Sequence, residues 1–163
     1  MNIIAAVDKK LGIGKNGGLL VSIPEDMKLF REETVGKVVV MGRKTFESLP
    51  QGLPLVERTN IVLTTSEDFK HDNVYVCHSV DEVLNKIKEY PTDDVYVIGG
   101  ASVYEQMLPY CDTIHLTKID YTYDADTYFP DIFKDGVWQE TARSDERTYF
   151  DICYEFVRYQ RKV

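Results

Sequence analysis

The chain has 163 residues, of which 44% are hydrophobic and 28% charged, and its net charge is −8. These values favour a single globular domain spanning residues 1–163 and exclude a disordered chain. The acidic balance also argues against a nucleic-acid partner, because phosphate contacts need clustered lysine and arginine, although a few local cations would suffice for a phosphorylated cofactor.

Short apolar, β-branched runs alternate with helical stretches along the chain. The early runs are nearly continuous in apolar residues, which is typical of parallel strands covered on both faces. The late segments alternate apolar with polar residues and have no helix between them. The α/β pattern therefore predicts a mostly parallel central sheet of about eight strands, with an antiparallel C-terminal strand and about four flanking helices. Strands are predicted at 3–7, 37–41, 60–65, 74–77, 95–98, 113–119, 137–142 and 149–159.

Serine residues mark the starts of two predicted helices. Ser22 and Glu25 have the spacing of a capping box, in which each side chain bonds the other's backbone N–H. Ser79 has the position of an N-cap before the apolar stripe of Val83, Leu84 and Ile87. The first helix is expected to run to about residue 33, and the others are predicted at 43–49, 80–90 and 101–108.

The cysteines indicate a reducing environment. Cys77, Cys111 and Cys153 are widely spaced and odd in number, which predicts neither a zinc site nor a disulfide framework, and no metal is expected. The apolar run at the N-terminus is too short for a signal peptide, and no segment approaches the roughly 20 apolar residues of a membrane span. A cytoplasmic location without membrane contact is the expectation.

A glycine-rich segment at residues 12–18 precedes the first predicted helix and indicates a flexible loop. In the helix, Asp26 and Phe30 are four residues apart and therefore lie on one face. An acidic residue on an otherwise apolar face is a candidate functional group. The alternative is that Asp26 is a first-turn carboxylate that favours the helix dipole.

Two predicted strands end in glycine directly before a helix. Gly42 is followed by Arg43 and Lys44, so the helix start and the cations suit an anion, although a plain turn with a solvated basic pair would look the same. Gly99 and Gly100 would let a pyrophosphate approach the backbone closely. The spacing is not that of a GxGxxG fingerprint, so this turn is weak evidence by itself.

In this order, the motifs resemble the dihydrofolate reductase family over nearly the whole chain. The resemblance implies transfer of a hydride from NADPH to 7,8-dihydrofolate, giving tetrahydrofolate, by an enzyme that is a monomer with a small-molecule substrate. Two alternative hypotheses remain: a reductase of another pterin or a pyrimidine on the same fold, and a catalytically weak nucleotide- or antifolate-binding protein. The matching segments are 4–6, 12–14, 23–26 with Phe30, 41–45, 47–48, 60–64, 98–100 with 103–104, 116–119 and 126–130.

The resemblance also implies roles for individual residues. Asp26 would hold the pterin and support its protonation, and Thr117 would link to this carboxylate. Arg58 would bind the glutamate carboxylate of the substrate, a task that suits a planar bidentate donor. The pterin pocket would be lined by Ile4, Ala5, Met27, Phe30, Ile98 and Tyr104.

For the cofactor, the resemblance implies three groups of contacts. Arg43, Lys44 and Thr45 would bind phosphates. Thr64 and Thr65, at the end of the predicted strand, would hold the adenosine 2′-phosphate with Arg43 nearby. The Gly99-Gly100 turn, with a cis peptide bond, would bind the pyrophosphate. The loop at residues 13–19, here called the lid, would cover the nicotinamide together with Ala6. The cofactor set is Ala6, Ile13, Gly42, Arg43, Lys44, Thr45, Leu63, Thr64, Thr65, Gly99, Gly100, Ala101, Ser102 and Val103.

The chain departs from the family pattern in three places. Leu20 and Val21 stand where the family usually has proline and tryptophan, which predicts slower proton delivery, altered lid motion or changed antifolate affinity. The run at residues 51–58 is longer than the family's, which affects the match of Arg58. Ala101 stands where the family often has a further glycine, and its small side chain is compatible with close approach of a cofactor.

Overall fold

The computed structural model describes residues 1–162, so Val163 of the predicted domain lies outside the described residues. Four helices and two sheets make up the fold. The strands are β1 (Asn2–Val7), β2 (Gly12–Lys15), β3 (Gly18–Leu19), β4 (Val38–Gly42), β5 (Thr59–Leu63), β6 (Val74–Cys77), β7 (Val95–Gly99), β8 (Thr113–Ile119), β9 (Thr127–Tyr128), β10 (Trp138–Arg143), β11 (Arg147–Tyr149) and β12 (Ile152–Arg161). The helices are α1 (Pro24–Thr34), α2 (Arg43–Glu47), α3 (Val80–Ile87) and α4 (Ala101–Met107).

The central sheet has nine strands in the order β10-β12-β8-β1-β7-β4-β5-β6, with β11 also paired to β12. All pairings from β8 to β6 are parallel, whereas β12 is antiparallel to β8, β10 and β11. The predicted mixed α/β sheet is therefore confirmed. The single strand predicted at 149–159 is wrong in one respect: a turn at Phe150, with φ +55°, divides it into β11 and β12.

Burial on both faces explains the continuous apolar run of β4. Val38 and Val40 belong to a core cluster that includes Val83 of α3 and Val103 of α4. The alternate residues of β4 belong to a second cluster that includes Phe46 of α2. Since side chains alternate along a strand, helices on opposite faces require apolar residues at every position. None of the helices within residues 1–162 is long and apolar enough to cross a membrane.

The two predicted serine caps have different outcomes. Ser79 caps α3, because its side chain accepts a hydrogen bond from the N–H of Glu82 at 3.1 Å. The capping box at Ser22 is wrong: Ile23 occupies the N-cap position of α1, and no side chain caps it. Pro24 lacks an N–H and has a fixed φ that suits the first helical position. The helix therefore begins at the proline and leaves Ser22 outside.

Candidate active site

The carboxyl ends of β4 and β7 lie side by side, because the two strands are parallel neighbours with Met41 opposite Gly99. Helices α2 and α4 begin immediately after these strands. The two turns predicted separately from sequence therefore form one glycine-lined edge, where backbone N–H groups and helix starts favour an anion.

Two of the glycines at this edge have a local reason to be glycine. A Cβ atom on Gly42 would lie 3.0 Å from Cγ2 of Val103, which is a tight contact, whereas one on Gly99 or Gly100 would lie at an ordinary contact distance of 3.5 Å from Oγ1 of Thr45. Gly99 has φ +131°, a conformation that side chains rarely adopt, and the Gly99-Gly100 peptide bond is cis, as the resemblance implies. The edge thus exposes bare backbone to a ligand.

A partly buried carboxylate and its hydroxyl partner lie on the α1 side of the sheet. The hydroxyl of Thr117 donates a hydrogen bond to Oδ1 of Asp26 at 2.5 Å, which joins β8 to α1. Burial raises the pKa of Asp26, and the hydrogen bond from Thr117 opposes this shift. The contact between Asp26 and Thr117 agrees with the arrangement that the resemblance implies.

Tyr104 connects the two parts of the site. Its hydroxyl donates a hydrogen bond to the backbone oxygen of Ile4 at 2.8 Å, and it lies 3.4 Å from the Cβ position of Gly99. Burial raises the pKa of Tyr104, and the negative charge of Asp26 adds to this shift. A neutral Tyr104 is therefore close to both the glycine edge and the carboxylate.

The residues of β1 that are predicted to contact substrate or cofactor face opposite sides of the sheet. Ala6 is paired with Thr117, so it faces the same side of the sheet, as does Ile4 by strand alternation. Ala5 packs into the core on the opposite face and can offer this side only its backbone.

The other predicted pocket residues lie on α1 and β7. Phe30 is half-buried on the Asp26 face, and Met27 is 47% exposed. Ile98 packs against the second core cluster, which contains Met41 and Phe46. Of these residues, Phe30 shares a helix face with the carboxylate of Asp26, four residues earlier.

Arg58 is held at the C-terminal end of α1. It donates hydrogen bonds to Oγ1 of Thr34 at 3.1 Å and to the backbone oxygen of Val56 at 2.9 Å. Burial and the positive charge of Arg31 lower the pKa of Arg58. Within residues 1–162, no carboxylate forms a salt bridge with Arg58. Sequence reasoning missed Arg31, although both Arg31 and Thr34 lie in the last turns of the helix that carries Asp26.

The predicted phosphate-binding residues are solvent-accessible. Arg43 forms an ion pair with Glu47 at 3.5 Å and lies over the ring of Phe69, while Lys44 is exposed. Thr64 and Thr65 follow β5 in the loop beyond buried Leu63.

His78 lies beside the predicted cofactor residues that follow β5. It directly follows β6, the parallel neighbour of β5, and its Nδ1 lies 3.0 Å from the backbone oxygen of Thr64.

The remaining predicted cofactor residues are in α4. Ala101 and Ser102 begin this helix, and Val103 is buried.

The predicted lid is a β-hairpin. Strands β2 and β3 pair with each other, and β2 also pairs with β9. At the tip, the N–H of Asn16 donates to Oδ2 of Asp126 at 3.0 Å, and Lys15 pairs with Asp124 at 3.2 Å. Ile13 packs against the main core. Sequence reasoning gave Asp126 no role, because only the fold brings residues so distant in sequence together.

Val21 packs in a cluster built on Ile23, Ile119 and Tyr154. The partly buried aromatic residues of this cluster are Tyr123, Tyr149 and Phe156. Neighbouring aromatic side chains therefore supply bulk around Val21.

Replacing Val21 with tryptophan is expected to change the rate of hydride transfer and the Kd of a diaminopyrimidine antifolate by about 2- to 10-fold each. The reason is that the indole N–H adds one hydrogen-bond donor, worth about 0.5–1.5 kcal/mol. Single-turnover kinetics and inhibitor titration measure both quantities. Val21→Leu is the control for added volume without a donor. Unchanged values in Val21→Trp would show that this position has no influence on the chemistry.

The mixed sheet, the glycine-lined edge and the partly buried Asp26 with Thr117 define an α/β protein that places a nucleotide-type binding edge beside a carboxylate. The chain belongs to the dihydrofolate reductase family, whose sequence model matches residues 1–161.

Individual relatives agree with this assignment. The chain is 37% identical to the dihydrofolate reductase of Bacillus subtilis, over 99% of this chain and 95% of the relative. It is 44% identical to that of Enterococcus faecium, over 78% and 75%. Among solved structures, it superimposes with TM-score 0.89 and 36% identity on the dihydrofolate reductase of Enterococcus faecalis complexed with NADP(H) and RAB-propyl, covering 99% of this chain and 96% of that one.

Proposed function

We propose that this chain reduces 7,8-dihydrofolate to 5,6,7,8-tetrahydrofolate with NADPH. The observation that carries the proposal is the partly buried Asp26, bonded to Thr117 and close to the Gly99 turn through Tyr104. A lone carboxylate in an apolar pocket suits a flat heterocycle with adjacent N–H donors, because both oxygens can accept charge-assisted hydrogen bonds. Family membership supports the same reaction.

Asp26 would bind and orient the pterin and raise the local availability of a proton for the ring nitrogen N5. When bound, NADPH supplies the hydride that is added to the neighbouring carbon C6. Thr117 would fix the orientation of the carboxylate, since its hydroxyl occupies one lone pair of Oδ1. Tyr104 would hold the first strand in place through the backbone of Ile4.

The glycine edge fits the cofactor. Side chains at Gly42, Gly99 and Gly100 would fill the space along the turns, whereas bare backbone leaves it open to a pyrophosphate. The starts of α2 and α4 would supply N–H donors, with charge from Arg43 and Lys44. The remaining proposed cofactor residues are Ala6, Ile13, Thr45, Leu63, Thr64, Thr65, Ala101, Ser102 and Val103.

The glutamate end of the substrate would be bound near Arg58. Its guanidinium is ordered by Thr34 and has a second cation, Arg31, beside it. Glu57 pairs with Arg31 at 3.8 Å and offsets part of the repulsion between these two cations, and a carboxylate ligand would offset more of it. The apolar part of the substrate would pack against Phe30 and Met27.

The direct test follows NADPH absorbance with dihydrofolate as substrate. The proposal expects turnover with dihydrofolate. Turnover only with another pterin or a ribosylamino-pyrimidine would favour the related reductases, although Asp26 argues against the pyrimidine reductase. Tight NADPH binding without turnover on any of these substrates would favour a binding protein.

Replacing Arg43 with alanine is expected to raise the KM for NADPH by about 10- to 100-fold, because a charge-assisted hydrogen bond is worth about 1.5–3 kcal/mol. The KM for NADH, which lacks the 2′-phosphate, should change little. Arg158→Ala is the matched control, since β12 is separated from β4 by three strands. Equal losses for both cofactors would contradict contact with the 2′-phosphate.

We also propose that the protein acts as a cytoplasmic monomer. All three cysteines are free, which suits a reducing environment. Light scattering coupled to size-exclusion chromatography tests the oligomeric state.

A further inference from the structure

We infer that Asp8 is a positioning residue that holds the turn at residues 9–12, here called the lid root, against the loop at residues 120–126. The inference rests on the proposed function, because it concerns closure of the lid over the nicotinamide. Asp8 directly follows β1 and lies outside every set of residues proposed above to bind substrate or cofactor.

Asp8 is only 3% exposed, and its carboxylate accepts three backbone hydrogen bonds. Oδ1 accepts from the N–H of Lys10 at 2.8 Å and of Gly12 at 2.7 Å. Oδ2 accepts from the N–H of Tyr123 at 3.0 Å. One oxygen therefore fixes the turn that leads into the lid, and the other connects this turn to the 120–126 loop.

Gly12 shows how tightly the lid root is packed. A Cβ atom at this position would lie 2.7 Å from Cβ of Ala125 and 2.8 Å from Oδ2 of Asp8. Gly12 is also the first residue of β2, so the direction in which the lid leaves the sheet is set at this contact.

The contacts at the lid tip differ in kind from those at the root. Asp124, the partner of Lys15, has a side chain that is 96% exposed, and the contact between Asn16 and Asp126 is also exposed. Exposed ion pairs contribute little, whereas charge-assisted hydrogen bonds to a buried carboxylate are strong. The geometry therefore points to a tip that opens while Asp8 keeps the root fixed.

The substitution Asp8→Asn tests whether the carboxylate keeps the lid root fixed while the tip opens. An amide has one acceptor oxygen and one donor group, so asparagine can keep both bonds to the turn only by presenting NH₂ to the N–H of Tyr123. The side-chain bond to the 120–126 loop is then lost, and the backbone bond from the N–H of Lys9 to the oxygen of Tyr121, at 3.0 Å, is left as a link between the turn and this loop. Asp120→Asn is the matched control, because Asp120 lies in the same loop but is exposed and pairs only with Lys9, at 3.6 Å.

We expect Asp8→Asn to raise the Kd for NADPH by about tenfold and to slow single-turnover hydride transfer by a similar factor. The Kd for 2′,5′-ADP, which lacks the nicotinamide, should stay within about twofold of the unsubstituted value, since a fixed adenine site is not affected by the lid. Asp120→Asn should leave all three quantities unchanged. Equal weakening of NADPH and 2′,5′-ADP, or no change in either, would overturn the inference.

Amide hydrogen exchange in the unsubstituted protein provides a test that does not depend on folding of the variant. The N–H groups of Gly12 and Tyr123 should exchange at least about tenfold more slowly than that of Asn16 if the root stays fixed while the tip opens. Equal exchange rates would contradict a fixed root. Absence of dihydrofolate reduction by the unsubstituted protein would instead refute the proposed function. The exchange rates would still test the role of Asp8 in that case.

Discussion

Replacing Asp26 with asparagine is expected to lower kcat/KM for dihydrofolate at neutral pH by about 10²- to 10⁴-fold, the range of a general acid or base. The amide keeps the size of the side chain but can neither carry the charge nor exchange the proton. Steady-state kinetics measures the loss, and circular dichroism checks the fold. Glu25→Gln is the matched control, because Glu25 is the adjacent carboxylate and pairs with Arg147 at the surface.

The carboxyl group of Asp26 is expected to make the single-turnover rate depend on pH. Because burial raises the pKa of Asp26, its carboxyl group keeps its proton to a higher pH than an ordinary aspartate does. The single-turnover rate of the unsubstituted enzyme should therefore fall as the pH rises through this pKa, while Asp26→Asn should show no such titration. An identical pH profile in the two proteins would remove Asp26 from the proton path.

At neutral pH, Asp26→Asn should raise the stability of the protein although it lowers the activity. A carboxyl group whose pKa is raised by folding favours the folded state most at a pH below its unfolded pKa, and this contribution is lost as the pH rises through the folded pKa. Because asparagine has no carboxyl group to titrate, Asp26→Asn removes this loss of stability. The variant should therefore unfold at a higher temperature than the unsubstituted protein at neutral pH, and the difference should shrink as the pH is lowered.

Replacing Gly99 with alanine is expected to raise the KM for NADPH by at least about tenfold and to destabilise the fold by about 1–3 kcal/mol. The φ of +131° is unfavourable for alanine, and the new Cβ would contact the hydroxyl of Tyr104 and Oγ1 of Thr45. Cofactor titration and thermal unfolding measure the two effects.

The control for Gly99 is Gly36→Ala. Gly36 also has a positive φ, of +78°, but no atom lies within 4 Å of its Cβ position. This variant should lose about 1 kcal/mol of stability from the backbone alone, with the KM for NADPH unchanged. A Gly99→Ala enzyme with normal cofactor binding would contradict the assignment of this edge to the pyrophosphate.

Local sequence patterns predicted the elements well where one physical cause dominates. The strands at residues 74–77 and 113–119 have the bounds that were predicted, because each is rich in β-branched residues and is bounded by polar residues on both sides. The cap at Ser79 was correct for the same reason. The cap at Ser22 was wrong because the backbone constraint of Pro24 overrides a side-chain preference two residues earlier.

By itself, the sequence determined the mixed α/β class, the glycine turns after two strands and the acidic residue on the first helix, since each depends on spacing along the chain. The link between Thr117 and Asp26 followed from the family resemblance, whereas only the tertiary structure decided that Arg31 lies beside Arg58 and that Asp8 joins the lid root to the 120–126 loop. These contacts connect residues that are up to 115 positions apart in sequence. Sheet order and helix packing bring them together, and no local pattern encodes such distances.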